Sequence, residues 1–435
     1  MAAIETLPSP TTKTLPTRKD IMHTHEIRFD TTPLPDHARV VAGADVWMEG
    51  DAVAQLARTA ALPGCVRAVG MPDLHVGKGP VGAVFATREK VYPHLLGGDV
   101  GCGVRVIATS EDARNRDHVE RRVRSTWDDS PLDGCDERAL VEAVWRRGIA
   151  GLAEIEDLPD ALRALSAAMP ETATLEPSGD LLASTGGFAE ALGTIGGGNH
   201  FVEIARVDEI RNKEVARTLG LHKGCLVAIA HSGSRGLGTA LARKYGDATL
   251  TGDAIGPYLA DVAGACRFAQ VNRFLLAYRL LRALGAARTS KVTGAFDVTH
   301  NDVRAEPVDG APTWIHRKGA APAHADSPTI VLGSRGAPSW VLVGRGEEAG
   351  LRSVAHGAGR RMGRAEALSK LKGKYRRSEL GTTKLGGRVV CDDTDLLYEE
   401  HPDAYKPIEP VVASLVDAGL AEPVASLVPV VTVKR

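Results

Sequence analysis

Apolar residues along the chain fall into short runs separated by glycine-rich polar stretches, and one long segment breaks that rhythm. The spacing predicts a short helix over 51–61, followed by strands over 65–69, 81–86 and 104–107. Between 120 and 168 the apolar positions recur at helical spacing among many charges, interrupted by Gly148 and Pro159. This stretch reads as a helical insertion into a larger unit. Strand-like runs return at 201–204 and 226–230. The longest helical pattern covers 255–284, where small and apolar residues occupy most of the surface, so that helix is expected to be largely buried. Strand–loop units follow at 329–333, 340–343, 389–391 and 424–433. There is neither an internal repeat nor a regular strand–helix–strand rhythm, which points to a mixed α+β fold with its polar chemistry on loops. Residues 1–20, rich in Pro, Thr and Ser, read as a disordered lead-in, and 21–435 as a single domain.

The chain has 435 residues, enough to bury a sizeable core. Its formal net charge of −1 provides no global field for a polyanion, so such a partner must be held by a local patch. Aromatics make up 4%, which argues against a stacking platform for bases. Six cysteines (Cys65, Cys102, Cys135, Cys225, Cys266 and Cys391) are scattered and form no CxxC pair, which favours reduced thiols over a disulfide framework. No apolar signal core and no stretch of transmembrane length is present, so the chain is expected to be cytoplasmic with no membrane partner.

The 47 glycines matter most where they flank polar residues. In Gly97-Gly98-Asp99-Val100-Gly101-Cys102-Gly103 a carboxylate and a thiol three residues apart can reach one ion, and a thiolate can bridge two. A tight turn with a capping Asp and a buried Cys explains the motif equally well. In Gly196-Gly197-Gly198-Asn199-His200-Phe201-Val202-Glu203 three glycines strip away side chains just before Asn199 and His200, a poor choice for stability alone. Ala230-His231-Ser232-Gly233-Ser234-Arg235-Gly236 leads from a strand into a loop of hydroxyls, backbone amides and a guanidinium, a setting that suits phosphate. His316-Arg317-Lys318-Gly319-Ala320, preceded by a His300-Asn301 pair, reads by default as a solvated basic loop. His356-Gly357-Ala358-Gly359-Arg360-Arg361 places an imidazole among amides and arginines, where it can act as a nucleophile toward phosphorus. The basic run at Lys370, Lys372, Lys374, Arg376 and Arg377 is the best local patch for a polyanion. Together, Asp99, Cys102, His200, His231 and His316 include the N, O and S donors that suit borderline transition metals.

These motifs, with Met71-Pro72-Asp73-Leu74-His75-Val76-Gly77-Lys78-Gly79, Ser334, Ser339 and Ala404-Tyr405-Lys406, closely resemble the RtcB family of RNA-splicing ligases in order and spacing. The resemblance runs from about Met71 to the C-terminus. It implies an α/β fold of the family's own type and a site with two manganese ions. Asp99, Cys102 and His200 would hold one ion, while Cys102, His231 and His316 would hold the other. His356 matches the histidine that GTP guanylylates. Asn199, Glu203, Ser334, Ser339, Ala358, Arg360, Tyr405 and Lys434 match guanylate-contacting positions, and Arg235 and Arg364 match positions that hold RNA phosphates. The strand Val104-Arg105-Val106, Arg335, and Ala321-Pro322 after the His316 motif depart from the common pattern and suggest a paralogous RNA-repair branch.

The implied activity is GTP- and Mn-dependent joining of an RNA 3′-phosphate or 2′,3′-cyclic phosphate to a 5′-hydroxyl, in tRNA splicing or RNA repair. An archease-type activator is a candidate partner beside the RNA. The alternative is a metal-dependent phosphodiesterase or phosphohydrolase that uses the same cluster with no covalent nucleotide. A catalytically idle RNA-binding relative would not need the full set of metal and nucleophile residues.

Overall fold

A computed structural model describes residues 33–112, 115–169 and 188–435, so the 1–20 lead-in lies outside the described residues. In chain order the elements begin with β1 (Ala38–Val40), α1 (Gly50–Ala60), β2 (Cys65–His75), β3 (Val81–Thr87), β4 (Lys90–Val91) and β5 (Gly103–Asp112). A helical stretch follows with α2 (Arg116–Thr126), α3 (Glu137–Leu152) and α4 (Asp160–Ala168). Next come β6 (Phe201–Ile210), α5 (Lys213–Thr218), β7 (Cys225–Ser232), α6 (Gly236–Tyr245), β8 (Leu250–Thr251) and α7 (Ile255–Leu284). Strands β9 (Val292–Thr299), β10 (Asn301–Val308), β11 (Ala311–Lys318), β12 (Ala320–Pro322), β13 (Pro328–Val331), β14 (Ser339–Gly344) and β15 (Ser353–Ala355) follow. The chain closes with α8 (Arg364–Lys372), β16 (Arg388–Val390), α9 (Thr394–Glu399), α10 (Ile408–Asp417) and β17 (Ala421–Val433).

Two mixed sheets carry the fold, which is α+β. One has the order β1-β2-β3-β11-β10; the other has the order β13-β14-β17-β6-β7-β5-β9, with β16 beside β17. Most pairings are antiparallel. Strand alternation sorts the apolar residues into layers. On β7, Cys225, Val227 and Ile229 join the core that also holds Val69 and Met71 of β2 and Val84 and Ala86 of β3, so the two sheets pack face to face. Leu226, Ala228 and Ala230 point the other way, into a core shared with α7 and the helices α2–α4. The outer face of the smaller sheet, with Ala68, Ala83 and Phe85, is covered by Ala52, Val53, Leu56 and Ala60 of α1. The layers therefore run helix, sheet, sheet, helices.

The long apolar helix at 255–284 is α7, buried along nearly all its length because the larger sheet covers one side and α2–α4 the other. Gly148 breaks α3 at φ 60°, and Pro159 caps α4. The three strands over 292–318 have no apolar run to announce them. Their residues alternate between polar and apolar, as in Phe296-Asp297-Val298-Thr299, and Asp297, Asp302 and Arg317 are buried in ion pairs. Among the described residues, no helix is long and apolar enough to cross a membrane.

The α3–α7 contact depends on one large-to-small fit. A Cβ at Gly264 of α7 would lie 2.5 Å from the Trp145 ring, which is buried. Trp145→Ala is expected to destabilise the chain by about 3–5 kcal/mol through the cavity it leaves. Urea unfolding checks this; a loss below about 1 kcal/mol would show that the helices repack around the void.

Candidate metal and nucleotide site

The antiparallel order of the larger sheet explains how residues far apart in sequence reach one place. β5 and β6 begin at the edge where their neighbours β7 and β9 end. Gly103 pairs with both Ser232 and Thr299, and Phe201 pairs with His231. Cys102, His200, His231 and His300 stand at or next to these four strand ends, and so meet at one edge.

Cys102 Sγ lies 3.3 Å from His200 Nε2 and 3.4 Å from His231 Nε2. His231 Nε2 is 3.3 Å from His300 Nε2, and His200 Nε2 is 3.2 Å from Asp99 Oδ2. Two donor groups result, Asp99/Cys102/His200 and Cys102/His231/His300, with Cys102 common to both. A thiol, a carboxylate and three imidazoles converging in a largely buried pocket fit a transition metal. Burial, followed by the neighbouring imidazoles, drives the His231 and His300 pKa values well below the ordinary value. Those rings are therefore neutral, the form that binds metal. Burial and the Asp99 carboxylate push the Cys102 thiol well up, so cation binding has to displace its proton.

His316 is not in this cluster, which corrects the ligand assignment made from the sequence. On β11 the neighbouring Ile315 points into the layer between the sheets, so His316 points to the opposite face. There its Nε2 accepts a hydrogen bond from the Tyr92 backbone N–H at 3.1 Å, and its ring lies against Tyr92. His300, at the end of β9, takes the place expected of His316. The His300-Asn301 pair was visible in the sequence but carried no flanking glycine to mark it.

A cleft of about 610 Å³ opens from the cluster. Asp99, Cys102, His231 and His300 line one end, with His356 beside them. The His356 ring packs edge-on to His300, with centroids 4.8 Å apart. Its Nδ1–H donates to Asp73 Oδ2 at 2.6 Å. The same oxygen accepts from the backbone N–H of His356 and of Gly357, at 3.2 and 3.4 Å. Asp73, fully buried on β2, fixes the ring and leaves Nε2 as the atom with a free lone pair. In the sequence, Asp73 stood out only as part of a signature. Lys406 Nζ donates to the carbonyls of Pro72 and Leu74, on either side of Asp73, at 2.9 Å each.

Asn199, Ser334, Ala358, Arg360, Tyr405 and Lys434 line the rest of the cleft, together with Phe201 and Arg335. Arg360 donates to Glu400 at 2.8 Å and to the Glu399 carbonyl at 2.7 Å, and lies over the Tyr405 ring. Tyr405 hydroxyl also donates to Glu400. Burial would raise the Glu400 carboxyl, but Lys434 and Arg360 outweigh it and hold it below the ordinary value. Ser339 and Arg235 lie outside the cleft wall. Ser339 accepts from the Gly333 N–H, and Arg235 Nε reaches Thr194 Oγ1 at 3.4 Å. Arg364 is at the cleft mouth, half exposed, 3.5 Å from Glu400.

Glu203 lies just behind the wall, accepting from Thr432 Oγ1 at 2.6 Å. Burial raises its pKa from 4.5 to about 8, opposed by the Thr432 hydrogen bond and by Lys434. The folded chain thus keeps a proton that the unfolded chain has already released. Glu203 therefore makes stability fall as pH rises from about 5 to about 8, by up to about 1.4 kcal/mol per pH unit. Glu203→Gln is expected to flatten that decline in Tm measured across the same range. A slope unchanged by the substitution would place the titration on another group.

The family model described as tRNA-splicing ligase RtcB matches residues 55–251 and 247–435. The chain is similar to RNA-splicing ligase RtcB2 of Escherichia coli, with 39% identity over 415 residues that cover 93% of this chain and 97% of the relative. It is 31% identical to RNA-splicing ligase RtcB of Mycobacterium tuberculosis, covering 87% of this chain and all of the relative. It is 30% identical to tRNA-splicing ligase RtcB of Thermococcus kodakarensis, covering 86% and 89% respectively.

Proposed function

The chain belongs to the RtcB family of RNA ligases, and from that premise we propose that it joins RNA 3′-phosphate or 2′,3′-cyclic phosphate ends to 5′-hydroxyl ends, using GTP and manganese. The observation that carries this reading is the Asp73–His356 pair set against His300. An oriented imidazole stands beside a cluster of metal-ligand type, within one cleft.

His356 Nε2 attacks the α-phosphorus of GTP; a nitrogen–phosphorus bond forms and pyrophosphate leaves. Asp73 holds the Nδ1–H throughout and stabilises the positive ring that forms as Nε2 bonds to phosphorus. A 2′,3′-cyclic phosphate is first opened by water to a 3′-phosphate and a free 2′-hydroxyl; the guanylyl group then passes to the RNA 3′-phosphate, and attack by the 5′-hydroxyl expels GMP. Asp99, Cys102 and His200 would hold one manganese ion, and Cys102, His231 and His300 the other. When bound, the ions supply Lewis-acid charge for the phosphoryl oxygens. The guanosine fits the arm of the cleft lined by Asn199, Ser334, Ala358, Tyr405 and Lys434, with Arg360 held there by Glu400. Glu203 and Ser339 support that arm from behind. Arg364 at the mouth, with Arg235 beyond it, is suited to RNA phosphates.

Incubation with α-labelled GTP and Mn²⁺, followed by denaturing electrophoresis, tests the proposal. Wild-type chain is expected to retain label that survives base and is lost in acid, and to ligate RNA with the stated ends. His356→Ala is expected to abolish labelling, and Asp73→Asn to slow it by about 10²- to 10⁴-fold. RNA cleavage without any labelled protein would instead support a phosphodiesterase.

A further inference from the structure

Two of the ligand imidazoles, those of His200 and His231, are not held through their own second nitrogens. Nδ1 of both His200 and His231 is buried and has no hydrogen-bond partner among the described residues. Metal-binding histidines usually gain their orientation through that atom. Here the residues next to Cys102, His231 and His300, and the loop that leads to His200, are gripped instead by two adjacent residues of α7.

Arg273 is fully buried and uses all five of its N–H groups. Nη1 donates to the carbonyl of Gly101, just before Cys102, at 2.6 Å, and to that of Ser232, just after His231, at 2.9 Å. Nη2 reaches Thr299 Oγ1, just before His300, at 3.3 Å. Nε and Nη2 close a two-point pair with Asp297 at 3.0 and 2.6 Å. Asn272, also fully buried, donates to the carbonyls of Thr194 and Gly233 and to Ser232 Oγ at 3.0–3.3 Å, and accepts from the Thr194 N–H. Thr194 opens the loop that leads to His200.

The glycines beside Cys102 fit the same design. A Cβ on Gly101 would meet α7 at Cys266 Cα and Ala269 Cβ, each at 3.0 Å. A Cβ on Gly103 would lie 2.9 Å from the Arg273 guanidinium carbon. Only a bare backbone lets the turn settle onto the helix.

We propose that Asn272 and Arg273 are the positioning residues of the metal cluster, holding the four segments that carry Cys102, His200, His231 and His300 so that the ligands converge before an ion arrives. This rests on the metal reading of the cluster. It assigns to α7 a role in metal affinity separate from its role in the core. Arg273→Lys keeps the charge but cannot span two carbonyls, a hydroxyl and a carboxylate together. Asn272→Ser removes the amide that ties Thr194 to Ser232 and Gly233.

The test uses full-length protein stripped of metal and titrated with Co²⁺, following the thiolate-to-cobalt charge-transfer band. Far-UV circular dichroism and apo-protein Tm are measured in parallel. Each variant is expected to keep the wild-type far-UV spectrum, to bind Co²⁺ about 10- to 100-fold more weakly and to show a weakened thiolate band. Variants that bind Co²⁺ with wild-type affinity and band, and differ only in Tm, would overturn the proposal. So would failure of both variants to fold, since the pair would then belong to the scaffold alone. If wild-type protein itself shows no cobalt–thiolate band, the metal reading fails instead, and the two failures are thereby distinguished.

Discussion

The close approach of α7 to the ends of β5, β7 and β9 is the constraint on which the cleft depends. A helix buried on nearly every side cannot shift without disturbing the sheet beneath it and the helices above it. Where it meets the strand ends, a fully engaged guanidinium and amide replace apolar packing. Buried charge of this kind is tolerated only when it is paired and every donor is satisfied. Arg273 meets that condition, and Asp297, its partner, also pairs with Arg105. The same rigidity that stabilises the core thus reaches the segments that carry Cys102, His231 and His300.

Beyond the cluster, the cleft is built from a second set of buried charges with a different logic. Glu400 gathers Arg360, Lys434 and the Tyr405 hydroxyl on one carboxylate. It fixes the side chains of a polar pocket that has few aromatic walls. Asp73 does the same for His356 through one oxygen that accepts three hydrogen bonds. Lys406 holds the backbone on both sides of that aspartate. His356 is oriented by a carboxylate 283 positions away on β2, so this part of the site forms only when the chain has folded around it.

Much of the fold was legible where a single element carries its own signal. The 255–284 helix announced its burial because its small and apolar residues extend around most of its surface. Gly148 and Pro159 marked a helix break and a helix start because each restricts the backbone locally. The strands over 292–318 were not legible, since buried ion pairs there replace the apolar residues that pattern reading depends on. Which segments lie next to each other in the two sheets is likewise absent from local periodicity.

At the site the division follows the same line. Glycine-flanked Asp99, Cys102, His200, His231 and His356 could be singled out from sequence because a bare backbone beside a reactive side chain is a local feature. Tertiary structure alone brings His300, and not His316, into the cluster. The two differ by which face of a strand they occupy and which strand end they reach, and both depend on pairing with residues more than a hundred positions away. It also decided that Asp73 serves His356 and that Asn272 and Arg273 lie under the cluster. Those partners are ordinary polar residues in sequence, and acquire their roles only when long-range packing removes water and leaves them one another as hydrogen-bond partners.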